Sequence, residues 1–312
     1  MKFWSCMFRI IFLSQTTLGI LGNFSIIFYY LVLYYKECTL KPTDLILLNL
    51  MTANVMIILS SGVPHTMTHF LLRQLLNDFG CRLILYIQRT GRSMSIGTSC
   101  LLSVFQAMTI SPRESCWKYL KVKAAKYTGC FITLLWVFYV CMHFIFFIYP
   151  FIKRNNKSRT RTLDVGQCSI VVHNEIGDSL FAAMVVFPEV LFSLLITWTS
   201  SSMTVFLYRH KQRVQHIRST HDSSRTSPES RATQNIFALL CTFLAFHTLS
   251  SILQGYTAFL YNHNWWLVNI TCLTSLCFPS LGPFVLMNYY SLVSRFSLAR
   301  MRKIHLPGNL MI

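Results

Sequence analysis

Seven long apolar runs divide the chain, and they constrain its fold more than any other feature. About 20 apolar residues in a helix cross the hydrocarbon core of a bilayer. Backbone groups in lipid must bond within the membrane, which favours helices, and the runs lack the alternation of barrel strands. The runs are Ile10–Tyr35, Leu45–Leu72, Leu83–Ile110, Thr128–Ile152, Leu180–Tyr208, Ile236–Leu260 and Trp265–Tyr290. The sequence therefore predicts an all-α membrane protein, a single seven-helix bundle over residues 1–312 whose short cytosolic tail covers 291–312.

The charge content supports a membrane protein rather than a nucleic-acid binder. Only 12% of the residues are charged, against about 25% in soluble domains. The formal net charge of +18 would suggest a nucleic-acid partner in a soluble chain. Here the basic residues lie mostly between apolar runs, so membrane topology and anionic headgroups explain them better.

The distribution of Lys and Arg predicts the orientation. They are about twice as frequent on the side that carries the segments 113–126 and 209–231, which should be cytosolic. The amino terminus is then extracellular. The outer loop 153–178, although itself basic, contains an N-glycosylation acceptor at Asn156. Similar triplets at Asn23 and Asn269 lie in or near spans and are expected to stay unmodified.

Two cysteines on the outer side are candidates for a disulfide bond. Cys81 precedes the third span and Cys168 lies in the loop 153–178, so both face an oxidising compartment. We expect them to form a bridge, and Cys6 is the alternative partner. No cysteine or histidine cluster has the spacing of a zinc site.

Motifs for catalysis or cofactor binding are absent from the sequence. It contains no phosphate-binding glycine loop, no nucleophile elbow and no metal motif. His65 and His69 are four residues apart but have no adjacent Glu, so they do not form a metalloprotease motif. The sequence therefore predicts neither an enzymatic activity nor a bound cofactor.

Charged residues inside the third run suggest a binding site. On an ideal helix Arg82, Tyr86, Arg89 and Ser93 share one face, and Arg92 points about 60° away from Arg89. A charge at this depth is costly unless it is paired or faces a wet cavity. The alternative is that the arginine side chains reach the interface, which suits Arg82 best.

A carboxylate in the outer half of the fifth run is the predicted partner. Glu189 follows Pro188 there, and we expect it to lie near Arg89 or Arg92 across an aqueous pocket. The surplus of arginine predicts an acceptor-rich or anionic ligand. The predicted ligand-binding residues are Tyr86, Arg89, Arg92, Ser93 and Glu189.

The two basic segments on the cytosolic side predict a docking surface. They fit an acidic or amphipathic protein partner, while contact with anionic lipid is the simpler alternative. The predicted contact residues are Arg113, Lys118, Arg209 and Arg213.

A set of short motifs covering nearly the whole chain resembles the vomeronasal type 1 receptors. In chain order they are KPTDL from Lys41, GTSCLLSVFQA from Gly97, TISPR from Thr109, YRHKQ from Tyr208, SPESRAT from Ser227, WWLVN from Trp265 and PFVLM from Pro283. Each motif is weak alone, but together and in this order they are specific.

The resemblance implies a rhodopsin-like, G-protein-coupled chemoreceptor in the plasma membrane. Such receptors detect pheromone-like small molecules and are thought to act through a Gi-class heterotrimer. The chain departs from rhodopsin-like receptors at Thr109–Pro112, where an acidic-Arg-aromatic triplet is missing, and after Pro283, where an Asn-Pro-x-x-Tyr motif is missing. Bitter-taste-type receptors, which generally lack the outer cysteine pair, are the nearest alternative. A transporter or channel is less favoured because no inverted repeat is visible.

Overall fold

Helices account for most of the part of the chain that the structure describes. The computed structural model describes residues 2–38, 40–67, 78–110, 115–152, 161–165, 168–172, 187–205, 208, 228–259 and 265–304. The elements are α1 (Lys2–Glu37), α2 (Pro42–Ile57) continued by a π-helical turn (Ile58–Gly62) and a helical turn (Val63–Met67), α3 (Asp78–Ile110), α4 (Ser115–Ile152), β1 (Arg161–Val165), β2 (Cys168–Val172), α5 (residues 187–205), α6 (Pro228–Phe259) and α7 (Trp265–Ile304).

Four helices in the described part are long and apolar enough to cross a membrane. They are Cys6–Lys36, Pro42–Gly62, Val122–Phe144 and Trp266–Met287, and Ala238–Gln254 is a shorter apolar helix. The helices continue past several of the apolar runs: α4 begins at Ser115 rather than Thr128, and α7 reaches Ile304. Lys and Arg are good helix formers, so a helix does not have to end where its apolar part ends.

A β-hairpin in the loop between α4 and α5 departs from the all-helical expectation. Strands β1 and β2 pair antiparallel, with Arg161 opposite Val172 and Val165 opposite Cys168. Both strands contain β-branched residues, which favour extended backbone. Strand β2 lies against α3, so the hairpin is held near that helix.

Helix α3 lies at the centre of the bundle. Residues 93–100 are buried without interruption, whereas many side chains of α1 and α4 are exposed. Small hydroxyl residues on α3 let neighbouring helices approach closely. Ser95 donates a hydrogen bond to Asn54 Oδ1 on α2 at 3.4 Å, and Ser103 is hydrogen-bonded to Thr199 on α5.

The first and last helices are joined by a hydrogen bond that compensates for a proline. Pro283 lies inside α7 and has no N–H, so the carbonyl of Pro279 lacks its usual partner within the helix. Asn23 on α1 is fully buried and donates from Nδ2 to this carbonyl at 2.8 Å. Gly22 allows the approach, because a Cβ there would lie 2.9 Å from Pro283 Cβ.

Close packing between α2 and α3 predicts a destabilising substitution. A Cβ on Gly91 would lie 3.1 Å from the carbonyl oxygen of Ala53 and 3.0 Å from Met56 Cβ. We expect Gly91→Ala to lower the free energy of unfolding by about 1–3 kcal/mol, because backbone atoms must shift. Thermal unfolding of the solubilised protein would measure it.

The matched control is Gly129→Ala on α4. The nearest atom to a Cβ at Gly129 is Leu45 Cδ2 at 3.8 Å, which is ordinary contact. Replacing this helical glycine should leave stability unchanged or raise it by up to about 1 kcal/mol. Equal unfolding temperatures for the two variants would contradict the described packing of α2 on α3.

Candidate functional site

Arg92 on α3 connects two other helices in the interior of the bundle. Its Nη1 donates to Ser250 Oγ at 2.9 Å and its Nη2 donates to Ser251 Oγ at 2.7 Å, both on α6. Its Nε lies 3.4 Å from Glu189 Oε1 on α5. The Arg92 side chain is 15% exposed and that of Glu189 is 18% exposed, so the pair is largely shielded from solvent.

The contacts of Arg92 account for how a charge is tolerated at this depth. A buried cation needs both a counter-charge and hydrogen-bond acceptors. Glu189 supplies the negative charge, and the two serine hydroxyls accept hydrogen bonds from the planar guanidinium. The structure thus brings Arg92, one of the two arginines expected near Glu189, into direct contact with this carboxylate rather than across a pocket.

Two other predicted site residues lie against α4. Ser93 Oγ is 3.1 Å from His143 Nε2, and Tyr86 donates from its hydroxyl to the carbonyl of Val140 at 3.3 Å. His143 also stacks on Tyr139, with ring centroids 6.2 Å apart. The face of α3 that carries Tyr86 and Ser93 is therefore packed on α4.

Arg89 lies nearly one helical turn from Arg92, towards the amino-terminal end of α3. It interacts electrostatically with Glu189 and with His143. Glu189 is therefore close to both arginines, although its direct ion pair is with Arg92. Of the five predicted residues, only Arg92 lines the cavity described next.

A cavity opens between α2, α3, α6 and α7 beside Arg92. Its empty volume is about 410 Å³, including the part that is open to the outside. The aromatic part of the wall is Phe243, Phe246 and Phe278. The polar part is Gln88, Arg92, Ser95, His247, Ser250, Thr274 and Ser275. An apolar wall with a few polar groups is typical of small-molecule sites in proteins.

Sequence reasoning missed the contribution of α6 to this cavity. His247, Ser250 and Ser251 are polar residues within the apolar stretch Ala238–Gln254. Polar residues at this depth commonly face the bundle interior, so their spacing of three to four residues was an available signal. Only the structure shows that Ser250 and Ser251 bond to Arg92 and that His247 and Ser250 line the cavity.

Several predicted residues lie outside the described part of the chain. These are Asn156, Arg113, Arg209 and Arg213. The backbone of Lys118 lies in α4, that of Cys81 in α3 and that of Cys168 at the start of β2, but their side chains are not described. Strand β2, which begins at Cys168, contacts α3, the helix that carries Cys81. Cys6 is exposed and is not in a disulfide bond.

The helices and the cavity define the class of the protein as a multi-pass membrane protein with a polar and aromatic cavity between its helices. Residues 6–299 match the family described as the "Vomeronasal organ pheromone receptor family". The chain is 47% identical to Vomeronasal type-1 receptor 4 of Homo sapiens over 92% of this chain and 95% of that protein. It is 46% identical to Vomeronasal type-1 receptor 2 of Homo sapiens over 88% of this chain and 70% of that protein.

The match extends to a relative of lower identity. The chain is 29% identical to Vomeronasal type-1 receptor 90 of Rattus norvegicus over 92% of each protein. The chain therefore belongs to the vomeronasal type-1 receptor family, which confirms the resemblance seen in its motifs. It is a multi-pass receptor of the plasma membrane, and its family is one of receptors rather than enzymes.

The Arg92–Glu189 ion pair predicts that substitutions of its two members do not have additive effects on stability. Arg92→Met leaves Glu189 without its nearest counter-charge, and Glu189→Gln leaves Arg92 without a carboxylate. We expect the double variant to be more stable than the sum of the two single effects by about 0.5–3 kcal/mol, because the second change removes a group already left unpaired. Thermal unfolding of the four proteins measures this coupling, and additive effects would contradict a direct pair.

Proposed function

We propose that the protein is a G-protein-coupled chemosensory receptor that binds a pheromone-like small molecule in the cavity beside Arg92. The observation that carries this proposal is a shielded guanidinium that joins α3 to α5 and α6 at the wall of that cavity. Membership of a pheromone receptor family gives the class of ligand and partner. Tyr86, Arg89 and Ser93 on α3 and Glu189 on α5 stay in the proposed site as residues that orient α3 against its neighbours.

The proposed topology is a rhodopsin-like bundle of seven spans with an extracellular amino terminus. Each of the seven apolar runs overlaps a described helix, which supports this count. The loop with the hairpin and Asn156 is then extracellular, as is the proposed Cys81–Cys168 bridge. The segments with Arg113, Lys118, Arg209 and Arg213 are cytosolic and contact a Gi-class heterotrimer.

Signalling is proposed to occur by a shift between two arrangements of α6 relative to α3. Ser250 and Ser251 hold α6 to Arg92 in the described arrangement. A ligand whose acceptor atoms replace these hydroxyls stabilises an arrangement in which α6 is released. If the G protein also binds the released arrangement better, the ligand raises the affinity for the G protein and the G protein raises the affinity for the ligand by the same factor.

The signalling proposal is tested with cells that express the full chain and a promiscuous G protein. A screen of volatile and steroid-like compounds is expected to yield an agonist, and Arg92→Ala is expected to abolish or strongly weaken the response to it. The matched control is Ser202→Ala, because Ser202 is exposed and bonds only within α5, to the carbonyl of Trp198. Responses are compared at equal surface expression.

Purified components test the coupling itself. Adding Gi heterotrimer to the purified receptor is expected to tighten binding of the screened agonist by roughly 5–150-fold, the usual range of such coupling. An unchanged affinity, or equal responses from the Arg92→Ala and Ser202→Ala receptors, would argue against the proposal.

The topology is tested by glycan mapping. Asn156→Gln is expected to remove a glycosidase-sensitive increase in mass, because this loop faces the compartment where N-glycans are added. Asn269→Gln, at the start of α7, should leave the mass unchanged and serves as the control. A parent receptor that carries no glycosidase-sensitive mass, or whose glycan persists after Asn156→Gln, would argue against an extracellular, glycosylated Asn156 loop.

A further inference from the structure

His247 on α6 is a buried polar residue that lines the cavity. It is 8% exposed, and its Nε2 has no hydrogen-bond partner within the described part of the chain. A buried polar atom without a partner costs about 1–3 kcal/mol. A group that enters the cavity and bonds to Nε2 would recover this free energy.

The imidazole ring of His247 is held in a fixed orientation by aromatic neighbours. It stacks on Phe243 with ring centroids 5.2 Å apart and planes 16° apart. Phe243 in turn contacts Phe278 on α7 edge-to-face at 4.7 Å. The cavity therefore presents a preoriented polar atom next to an apolar aromatic wall.

The charge beside His247 is balanced. Among the described residues that line the cavity, Arg92 is the only permanently charged one, and its counter-charge Glu189 is 3.4 Å away. Three of its five N–H groups are bonded to Glu189, Ser250 and Ser251, and the other two have no acceptor among the residues that the structure describes. An anion would compete with Glu189 for Arg92, whereas a neutral acceptor can bond to the remaining N–H groups or replace the serine hydroxyls and leave the Arg92–Glu189 pair intact.

The hydroxyl groups on α3 and α7, across the cavity from His247, present hydrogen-bond acceptors rather than donors. Ser275 donates to the carbonyl of Cys272, Thr274 donates to carbonyls within α7, and Ser95 donates to Asn54. Their remaining lone pairs can accept a hydrogen bond from a ligand hydroxyl. This part of the cavity wall therefore suits an uncharged ligand group that both donates and accepts hydrogen bonds.

From this arrangement we infer that the ligand is an uncharged amphipathic molecule, with an apolar body on the wall of Phe243, Phe246 and Phe278 and a hydroxyl or carbonyl group bonded to His247. His247 is the residue that selects for this polar group. The inference deepens the proposed function and rests on the cavity being the ligand site. The sequence predicted a ligand that is either acceptor-rich or anionic. Of these two possibilities, the inference keeps the uncharged ligand with acceptor atoms.

Thiol labelling tests the charge preference without a known ligand. The full-length His247→Cys receptor in membranes is treated with methyl methanethiosulfonate, which is neutral, and with its sulfonatoethyl and trimethylammonioethyl analogues, which are anionic and cationic. Rates at the introduced thiol are measured by peptide mass spectrometry and divided by rates for free cysteine. We expect both charged reagents to be slower than the neutral one by about tenfold or more, because the cavity gives them no uncompensated counter-charge.

A substitution that fills the cavity shows whether the reagent reaches the thiol through the cavity or through the lipid. Thr274 lines the cavity, so adding Thr274→Phe is expected to slow neutral labelling of His247→Cys by about tenfold, the effect of about 1.4 kcal/mol. Thr248→Cys is the matched control one position along α6, because Thr248 is exposed on the outside of the bundle and its labelling should not respond to Thr274→Phe.

Three results would overturn the inference. Faster labelling by the sulfonatoethyl reagent would indicate an anion site, and equal slowing at the two positions would indicate entry through the lipid. Absence of labelling at both His247→Cys and Ser275→Cys, in receptors that unfold at the temperature of the parent, would show that the cavity admits no ligand. Labelling needs no G protein, so these results are independent of whether the receptor signals.

Discussion

A guanidinium group buried within a membrane bundle must find both a counter-charge and acceptors, and the arrangement of α3, α5 and α6 follows from how Arg92 does so. Its planar fork fixes the directions in which Glu189, Ser250 and Ser251 can lie. Three helices are thereby set relative to one another by one side chain. The same contacts leave a cavity on the α7 side, where His247 lies.

Van der Waals packing supports this polar centre, since helices in lipid gain little from hydrophobic burial against each other. Gly91 lets α3 approach the backbone of α2, and Gly22 lets α1 approach Pro283. Trp136 on α4 donates to Asn49 Oδ1 on α2 at 3.0 Å, which links the largely exposed α4 to the centre of the bundle. The bundle is thus held by close contacts and a small number of hydrogen bonds between helices.

The sequence predicted the helices, the family and the Arg92–Glu189 contact because these depend on local composition and on the cost of an unpaired charge. It could not predict which face of α3 meets which neighbour. The helical repeat places Arg92 about 60° from Arg89, but the packing that turns Tyr86 towards α4 and Arg92 towards α6 depends on the whole bundle. The sequence grouping of Tyr86 and Ser93 with the ligand site stays a prediction.

The hairpin and the α1–α7 contact lay beyond sequence reasoning for similar reasons. The sequence of the outer loop 153–178 indicated only a basic connecting segment. Its two strands are stabilised by pairing with each other, which no local pattern in the loop predicted. The donor that replaces the missing N–H of Pro283 comes from Asn23, which is 256 residues from the carbonyl of Pro279 that it binds. No local pattern marks such a distant pair.

That distant pair has a consequence for how the receptor is made. Asn23 belongs to the first helix to leave the ribosome, whereas the carbonyl at Pro279 belongs to the last one. Until translation reaches α7, one amide hydrogen of Asn23 has no acceptor from that helix. A chain that terminates before α7 would therefore lack the hydrogen bond that joins its first helix to its last.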